Sequence, residues 1–404
     1  MPIRAIFVAA LLLLVATSLY LLWPIYGFMA ESNSSLRKPW AWQTVPIASS
    51  CQTSRAAAEF KIEADQACSL MLAQQERVRM PSISAAVVME GELVWSAAVG
   101  WSNLHDEILA TNETLYRIGS TSKPVTGTLL ARMIDAELVT LDESVGQYDN
   151  ALPNPEWSQL TLRQLASHTA GLPEYENNRD LLGLYHSMAL RRPHENVRQG
   201  LGLFDDNPLR YQPGSRFEYS SFDTLLIANL LQSAGQKPFE ALVQEWVLAP
   251  LSLSTPIRDQ PAPERASFYQ LDGNSAQLWR PVDLSNKLPG GGFASRPEDL
   301  AKLGAAWLDP DFINPQTRDQ FWSPQKLNSG EINEQSYALT WRWNETGGYA
   351  HHGGVSKGSM AWLAVYPDHA LVIAMATNTK LAELSDFAAI QIPIVELFTN
   401  RQRH

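Results

Sequence analysis

The sequence predicts an α+β protein, an α/β sandwich. An antiparallel sheet built from both chain ends is flanked by helices, a mostly helical subdomain is inserted between them, and one transmembrane helix precedes them all. Three observations carry this. Strand-like runs lie near both ends, at residues 83–89 and 93–99 and at 337–343, 359–366 and 371–376. Residues 120–247 between them read as mostly helical, with loops marked by Leu172-Pro173, Arg192-Pro193 and Gln212-Pro213-Gly214. Residues 5–23 are apolar apart from Thr17 and Ser18.

The N-terminal run is long enough to cross a bilayer as a helix, and no charge follows it until Glu31. A cleaved signal peptide is the alternative, with Ala16-Thr17-Ser18 as small residues, but the run continues through Leu19-Tyr20-Leu21-Leu22-Trp23. Orientation is poorly coded, because Arg4 on one side faces Arg37 and Lys38 on the other. The organisation read from this is an anchor over residues 1–28, a Ser- and Pro-containing tether over 29–54, and one domain over 55–404 with its helical part at about 120–285.

A helix is expected over 55–77, with Phe60, Ala64, Ala67 and Met71 as its apolar stripe. The hairpin 83–99 turns at Glu90-Gly91-Glu92, a short strand occupies 115–118, and a helix closes the chain over 381–398. Cys51 and Cys68 could form a disulfide pinning the tether to this helix in an oxidising compartment; equally, Cys68 could be a small core residue.

At 404 residues, 45% hydrophobic and 18% charged, the chain has the apolar mass for one large or two modest domains rather than a disordered segment. A net charge of −11 with no Lys/Arg run argues against nucleic acid and anionic lipid as partners.

Three Ser-x-x-Lys pairs occur: Ser35/Lys38, Ser120/Lys123 and Ser323/Lys326. The first lies in the tether and the third precedes Pro324 and a polar run, so neither has a helix to fix its geometry. Ser120 alone follows a strand and Gly119, then opens a helix through Thr128, Leu129, Met133 and Ile134. Residues three apart share a helix face, which brings the Lys123 amine towards the Ser120 hydroxyl. Burial and the positive helix N-terminus would both favour a neutral lysine able to act as a base. By spacing alone, Ser120 would still be an ordinary N-cap.

Two other patterns fail on context. Gly354-Val355-Ser356-Lys357-Gly358 has the spacing of a nucleophile elbow, but 359–365 reads as a strand where a helix is required. His194-Glu195 lacks the second histidine of H-E-x-x-H, and His351-His352 point apart in an extended segment. Neither a metal nor another cofactor is expected.

With these residues placed, Arg117-Ile118-Gly119-Ser120-Thr121-Ser122-Lys123 resembles the first motif of the serine β-lactamase and penicillin-binding protein superfamily, in its class C-like branch. The layout is similar to the mitochondrial β-lactamase-like serine protease group and its bacterial relatives. Further segments follow in the family's order. Residues 165–173, Leu-Ala-Ser-His-Thr-Ala-Gly-Leu-Pro, resemble a characteristic loop in which His168 is structural. Residues 213–221, ending Tyr219-Ser220-Ser221, resemble the Y-x-N motif. Gly290-Gly291-Gly292-Phe293 resembles a glycine-rich turn, and His352-Gly353-Gly354 resembles K-T-G in an H-x-G form.

The resemblance implies a serine hydrolase working through an acyl-enzyme. Ser120 would be the nucleophile and Lys123 its base, with Tyr219 relaying a proton to the leaving group. The oxyanion would be held by the backbone N–H groups of Ser120 and Val355, beside Gly354, with His352 and Ser221 facing the substrate. Ser221 replaces an asparagine and His352 a lysine, so no permanent cation greets a β-lactam carboxylate there. A small peptide, an ester or a cell-wall-derived amide is the expected substrate, on a catalytic domain held outside the cytoplasm, periplasmic in a Gram-negative cell. A true β-lactamase and a catalytically weak muropeptide-binding or scaffolding protein are the alternatives.

Overall fold

The computed structural model describes residues 3–32, 36–37, 40–255 and 257–400. Ser35 and Lys38, one of the three Ser-x-x-Lys pairs, lie outside them. The chain opens with helix α1 (Ile3–Ser32), whose side chains are mostly exposed.

The segment read as a tether holds two strands. β1 (Trp42–Thr44) pairs β8 (Ser275–Leu278), and β2 (Cys51–Ala56) pairs β4 (Glu92–Asn103) along an edge. The pairing of Arg55 with Ser96 and of Ala56 with Trp95 keeps the chain extended where a helix was expected from residue 55. Helix α2 (Lys61–Val78) therefore starts later, and a disulfide joins Cys51 to Cys68 across the two elements.

Between α2 and β4 runs β3 (Ser82–Met89). The β3–β4 turn places Glu90 at φ 51° and Gly91 at φ 83°, the paired positive values of a type I′ hairpin. After β5 (Ile108–Leu109) and β6 (Tyr116–Arg117) comes α3 (Ser122–Asp135). The middle then holds α4 (Leu162–Ala166), α5 (Leu181–Ala189), α6 (Val197–Leu201), α7 (Ser221–Gly235) and α8 (Phe239–Val243). The hairpin β7 (Tyr269–Asp272) and β8 and the short β9 (Ala294–Ser295) follow, then α9 (Pro297–Ala306) and α10 (Pro315–Trp322).

The chain returns through β10 (Arg342–Asn344), β11 (Tyr349–Ser356), β12 (Ser359–Tyr366), β13 (Leu371–Thr377) and β14 (Thr379–Lys380). Of the expected strand at 337–343 only Arg342 and Trp343 join the sheet, as part of β10. The closing helix is two, α11 (Leu384–Ala388) and α12 (Gln391–Asn400), because Pro393 cannot sit inside a continuous helix but fits the first turn of a new one.

The main sheet runs β10-β11-β12-β13-β3-β4-β2, with every neighbour antiparallel. Strands from the two chain ends meet at the β13–β3 ladder, which pairs Ile373 with Val87 and Met375 with Ala85. Both faces are covered, so β3 is buried at every position. Ile83, Ala85 and Val87 pack with Ala67, Met71, Ile394 and Phe398 of α2 and α12. Ala86 and Val88 pack towards Leu300 and Leu303 of α9, in a core continuous with the helical part. This is the predicted sandwich.

Candidate active site

Ser120 stands where two backbone segments touch. From β6 the chain passes Ile118 and Gly119 (φ +53°) into a 3₁₀ turn at Gly119–Thr121, which leads directly into α3. A Cβ on Gly119 would lie 2.6 Å from the Val355 carbonyl oxygen, and one on Gly354 would overlap the Ile118 carbonyl oxygen. Main chain packs on main chain here, and only glycine at both positions permits it. The contact sets the Val355 backbone beside the turn that carries Ser120, at the exposed end of β11.

Lys123 lies in the first turn of α3 and is fully buried. Its Nζ is 3.4 Å from Ser120 Oγ and donates a 2.9 Å hydrogen bond to the Gly290 carbonyl. The same Nζ sits 4.6 Å from the Tyr219 ring centroid. The glycine-rich segment thus acts on the lysine, since its turn at Leu288–Gly292 turns the Gly290 carbonyl onto the amine.

Tyr219 immediately precedes α7, whose start is fixed by several bonds. Ser220 Oγ accepts from the Phe222 N–H at 3.1 Å and donates to the Pro173 carbonyl at 2.6 Å. The Ser221 N–H, at the first position of α7, donates to Glu174 Oε2 at 2.7 Å. The loop ending at Glu174 and the segment carrying Tyr219 are therefore tied together. The Tyr219 hydroxyl is buried and has no hydrogen-bond partner within the protein.

Behind that tyrosine is His168, with its ring centroid 4.3 Å from that of Tyr219 and 4.7 Å from that of Tyr337. Asp223 holds it, with Oδ2 2.7 Å from His168 Nδ1. Burial, followed by the nearby Lys123, pushes the imidazole well below its usual pKa; burial, followed by Glu174, pushes Asp223 well above the carboxylate range. Both shifts favour one shared proton over a charge-separated pair. His168 is a packing platform for Tyr219, the structural role expected of it.

His352 differs from what the K-T-G resemblance implied. It is 1% exposed, with Nε2 3.1 Å from the Tyr337 hydroxyl and Nδ1 2.8 Å from the Gly353 carbonyl. Nδ1 thus donates and Nε2 accepts. Burial, helped by Arg342 and Lys123, holds its pKa well below the ordinary histidine value. Both nitrogens are engaged, so His352 props Tyr337 and does not present itself to a substrate carboxylate.

Four residues of this region were not singled out from sequence. Asp223 had a faint signal, as a lone acid within the apolar run 222–231. Glu174, Arg342, with its Cζ 5.8 Å from the Tyr219 centroid, and Lys287 had none. Lys287 Nζ lies 4.2 Å from the Tyr175 centroid, and burial, then Lys357, lowers its pKa to about 8.

The rejected patterns have ordinary roles. Ser323 Oγ donates to the Asp319 carbonyl at the end of α10, and Ser356 pairs with Ser359 across the β11–β12 hairpin, where Gly358 has φ +74°. Among the described residues no three His, Cys, Asp or Glu side chains converge as a metal site.

Residues 69–392 match the family described as Beta-lactamase. The chain is 25% identical to the human protein "Serine beta-lactamase-like protein LACTB, mitochondrial", over 82% of this chain and 75% of that one. It is 23% identical to the "Putative D-alanyl-D-alanine carboxypeptidase" of Escherichia coli K12, over 71% and 74%. In fold it is similar to the D-amino acid amidase of Ochrobactrum anthropi SV3, at a TM-score of 0.68, 18% identity and coverage of 84% and 99%. The penicillin-binding protein of Bacillus halodurans gives a TM-score of 0.66 at 19% identity, over 80% and 98%. With the fold, the motif order and the family match in agreement, the chain belongs to the Beta-lactamase family and is a serine hydrolase.

Proposed function

We propose that Ser120 attacks the carbonyl carbon of an amide or ester while Lys123 takes the hydroxyl proton. The hydrogen bond from Lys123 Nζ to the Gly290 carbonyl fixes the amine 3.4 Å from Ser120 Oγ, within reach of its proton. Negative charge developing on the carbonyl oxygen would be met by the N–H groups of Ser120 and Val355. As the tetrahedral adduct collapses, the leaving amine or alcohol takes a proton from Tyr219, which is restored from Lys123. Water then hydrolyses the Ser120 ester by the same relay in reverse.

The observation that carries this reading is the position of Lys123, buried between Ser120 Oγ and the Gly290 carbonyl with its Nζ over the Tyr219 ring. A phosphonate probe tests it: intact-mass analysis should show one adduct on the native protein and none on Ser120→Ala. Equal labelling of the two would overturn it.

For substrate we propose a small peptide, a cell-wall-derived D-alanyl amide or a simple ester. The relatives named for D-amino-acid substrates support the first two. The buried, neutral His352 weighs against a site built for the carboxylate of a β-lactam.

We further propose that α1 anchors the protein in a membrane, with the catalytic domain on an oxidising side. Within Arg4–Glu31 an 18-residue window reaches a mean hydropathy of 2.6 with none of that window buried, and the Cys51–Cys68 disulfide suits such a compartment. Resistance to alkaline carbonate extraction tests the anchor, and protease protection tests its orientation.

A further inference from the structure

Helix α5 is built the wrong way round for water. Its sequence, LLGLYHSMA, turns Gly183, Ser187 and Ala189 inward and leaves its first two leucines outside. Leu181 is 79% exposed, more than any other large apolar side chain among the described residues, and Leu182 is 64% exposed. The packing is enforced, because a Cβ on Gly183 would overlap the Leu203 carbonyl oxygen. An amphipathic helix facing water has the opposite arrangement. Comparable exposure of large apolar side chains is otherwise concentrated in α1.

Two arginines hold α5 beside α1. Arg191, just past its end, donates to the Tyr20 carbonyl at 3.3 Å and lies 5.4 Å from the Tyr20 ring centroid. Arg280 donates to the Met188 and Ala189 carbonyls at 3.0 and 2.9 Å and pairs with Glu31 at 2.8 Å. Glu31 also pairs with Lys357, two residues beyond Val355.

A hydrocarbon core of about 30 Å takes up about 20 helical residues at about 1.5 Å each. If the span begins at Ala5, Tyr20 and Trp23 fall at its outer boundary, where aromatic side chains concentrate. The end of α5 is fastened at that depth. Arg179, Arg191 and Arg192, all exposed, flank α5 and suit lipid phosphates, a local exception to the acidic chain.

We propose that α5 is an interfacial helix whose Leu181 and Leu182 enter the bilayer that α1 crosses. The loop at Glu174–Asn178, which borders Tyr219, would then lie against the membrane surface. This rests on the anchor reading of α1, and the test separates the two.

Since both native cysteines are paired, an introduced Leu182→Cys carries a single thiol-reactive environment-sensitive dye, and Ser329→Cys, on an exposed loop, serves as the reference. The full-length variants, checked for folding by phosphonate labelling of Ser120, are placed in phosphatidylcholine vesicles with doxyl-labelled acyl chains. Quenching at residue 182 several-fold greater than at 329, with a blue-shifted emission, is expected. Equal quenching at the two sites, in protein that resists carbonate extraction, overturns the α5 proposal and leaves the anchor standing. Release of the chain by carbonate overturns both. Dye–dye contact between copies at residue 182, without lipid quenching, overturns the proposal in favour of a second copy of the chain.

Discussion

Tyr219 turns its ring towards Lys123, whose Nζ lies 4.6 Å from the ring centroid, while its own hydroxyl is buried with no partner. A buried, unpaired hydroxyl costs about 1–3 kcal/mol. In the proposed reaction this hydroxyl passes a proton to the leaving group. Tyr219→Phe should therefore lower kcat by about 10²–10⁴-fold, the usual contribution of a proton-transfer group, while leaving stability unchanged or raising it by about 1 kcal/mol. Steady-state hydrolysis of a p-nitrophenyl ester and urea denaturation, run side by side, check both halves. A large loss of stability would mean that the hydroxyl is structural.

Gly354→Ala should damage the site through the backbone. The new methyl group would overlap the Ile118 carbonyl oxygen and lie 2.7 Å from Thr121 Oγ1, forcing β11 off the nucleophile turn. Overpacking of this kind costs about 1–3 kcal/mol, and a lower Tm with at least a tenfold slower phosphonate reaction is expected. Gly291→Ala is the control, since its Cβ would meet nothing nearer than the Gly119 carbonyl carbon at 4.0 Å. It should react like the native protein.

The pH dependence of stability has a defined sign at His351. Burial, then Arg342, lowers its pKa from 6.5 to about 4, and its ring stacks on Trp362 with centroids 5.0 Å apart. Between these values the unfolded chain binds a proton that the folded chain refuses, so this contribution is complete above pH 6.5 and is lost as pH falls towards 4. His168 and His352 act in the same direction, and Asp223, with its raised pKa, in the opposite one. His351→Gln should flatten the slope of unfolding free energy against pH between 4 and 6.5. An unchanged slope would show that the histidine is accessible.

Reduction of the Cys51–Cys68 bond, which closes a 17-residue separation, should cost about 3 kcal/mol on a chain-entropy argument. The double variant Cys51→Ser/Cys68→Ser should unfold at the same denaturant concentration as reduced native protein. Hydrogen exchange should rise first in β2, an edge strand with a register shift between Thr53 and Arg55.

By itself the sequence pointed to the strands near both chain ends and to Ser120 and Lys123 as the proposed reacting pair. Strand periodicity at both ends is local, and a serine and lysine three apart at a helix start are neighbours in any fold that forms the helix. Ordered motifs then picked Ser120 from three Ser-x-x-Lys pairs. Tertiary structure decided what those motifs face. The Gly290 carbonyl reaches Lys123 across 167 positions, and the carboxylate that fixes His168 comes from 55 positions away. No periodicity reports such contacts, because they depend on how α7 and the glycine turn pack on α3.

Likewise, a polar, aperiodic stretch at 29–54 gave no sign that parts of it pair with β4 and β8, since an edge strand takes its hydrogen bonds from a partner and needs little apolar pattern of its own. His352 shows the same limit within a motif. Its position in the chain suggested a group open to substrate, but the Tyr337 hydroxyl and the Gly353 carbonyl, brought to its two nitrogens by the fold, enclose it instead.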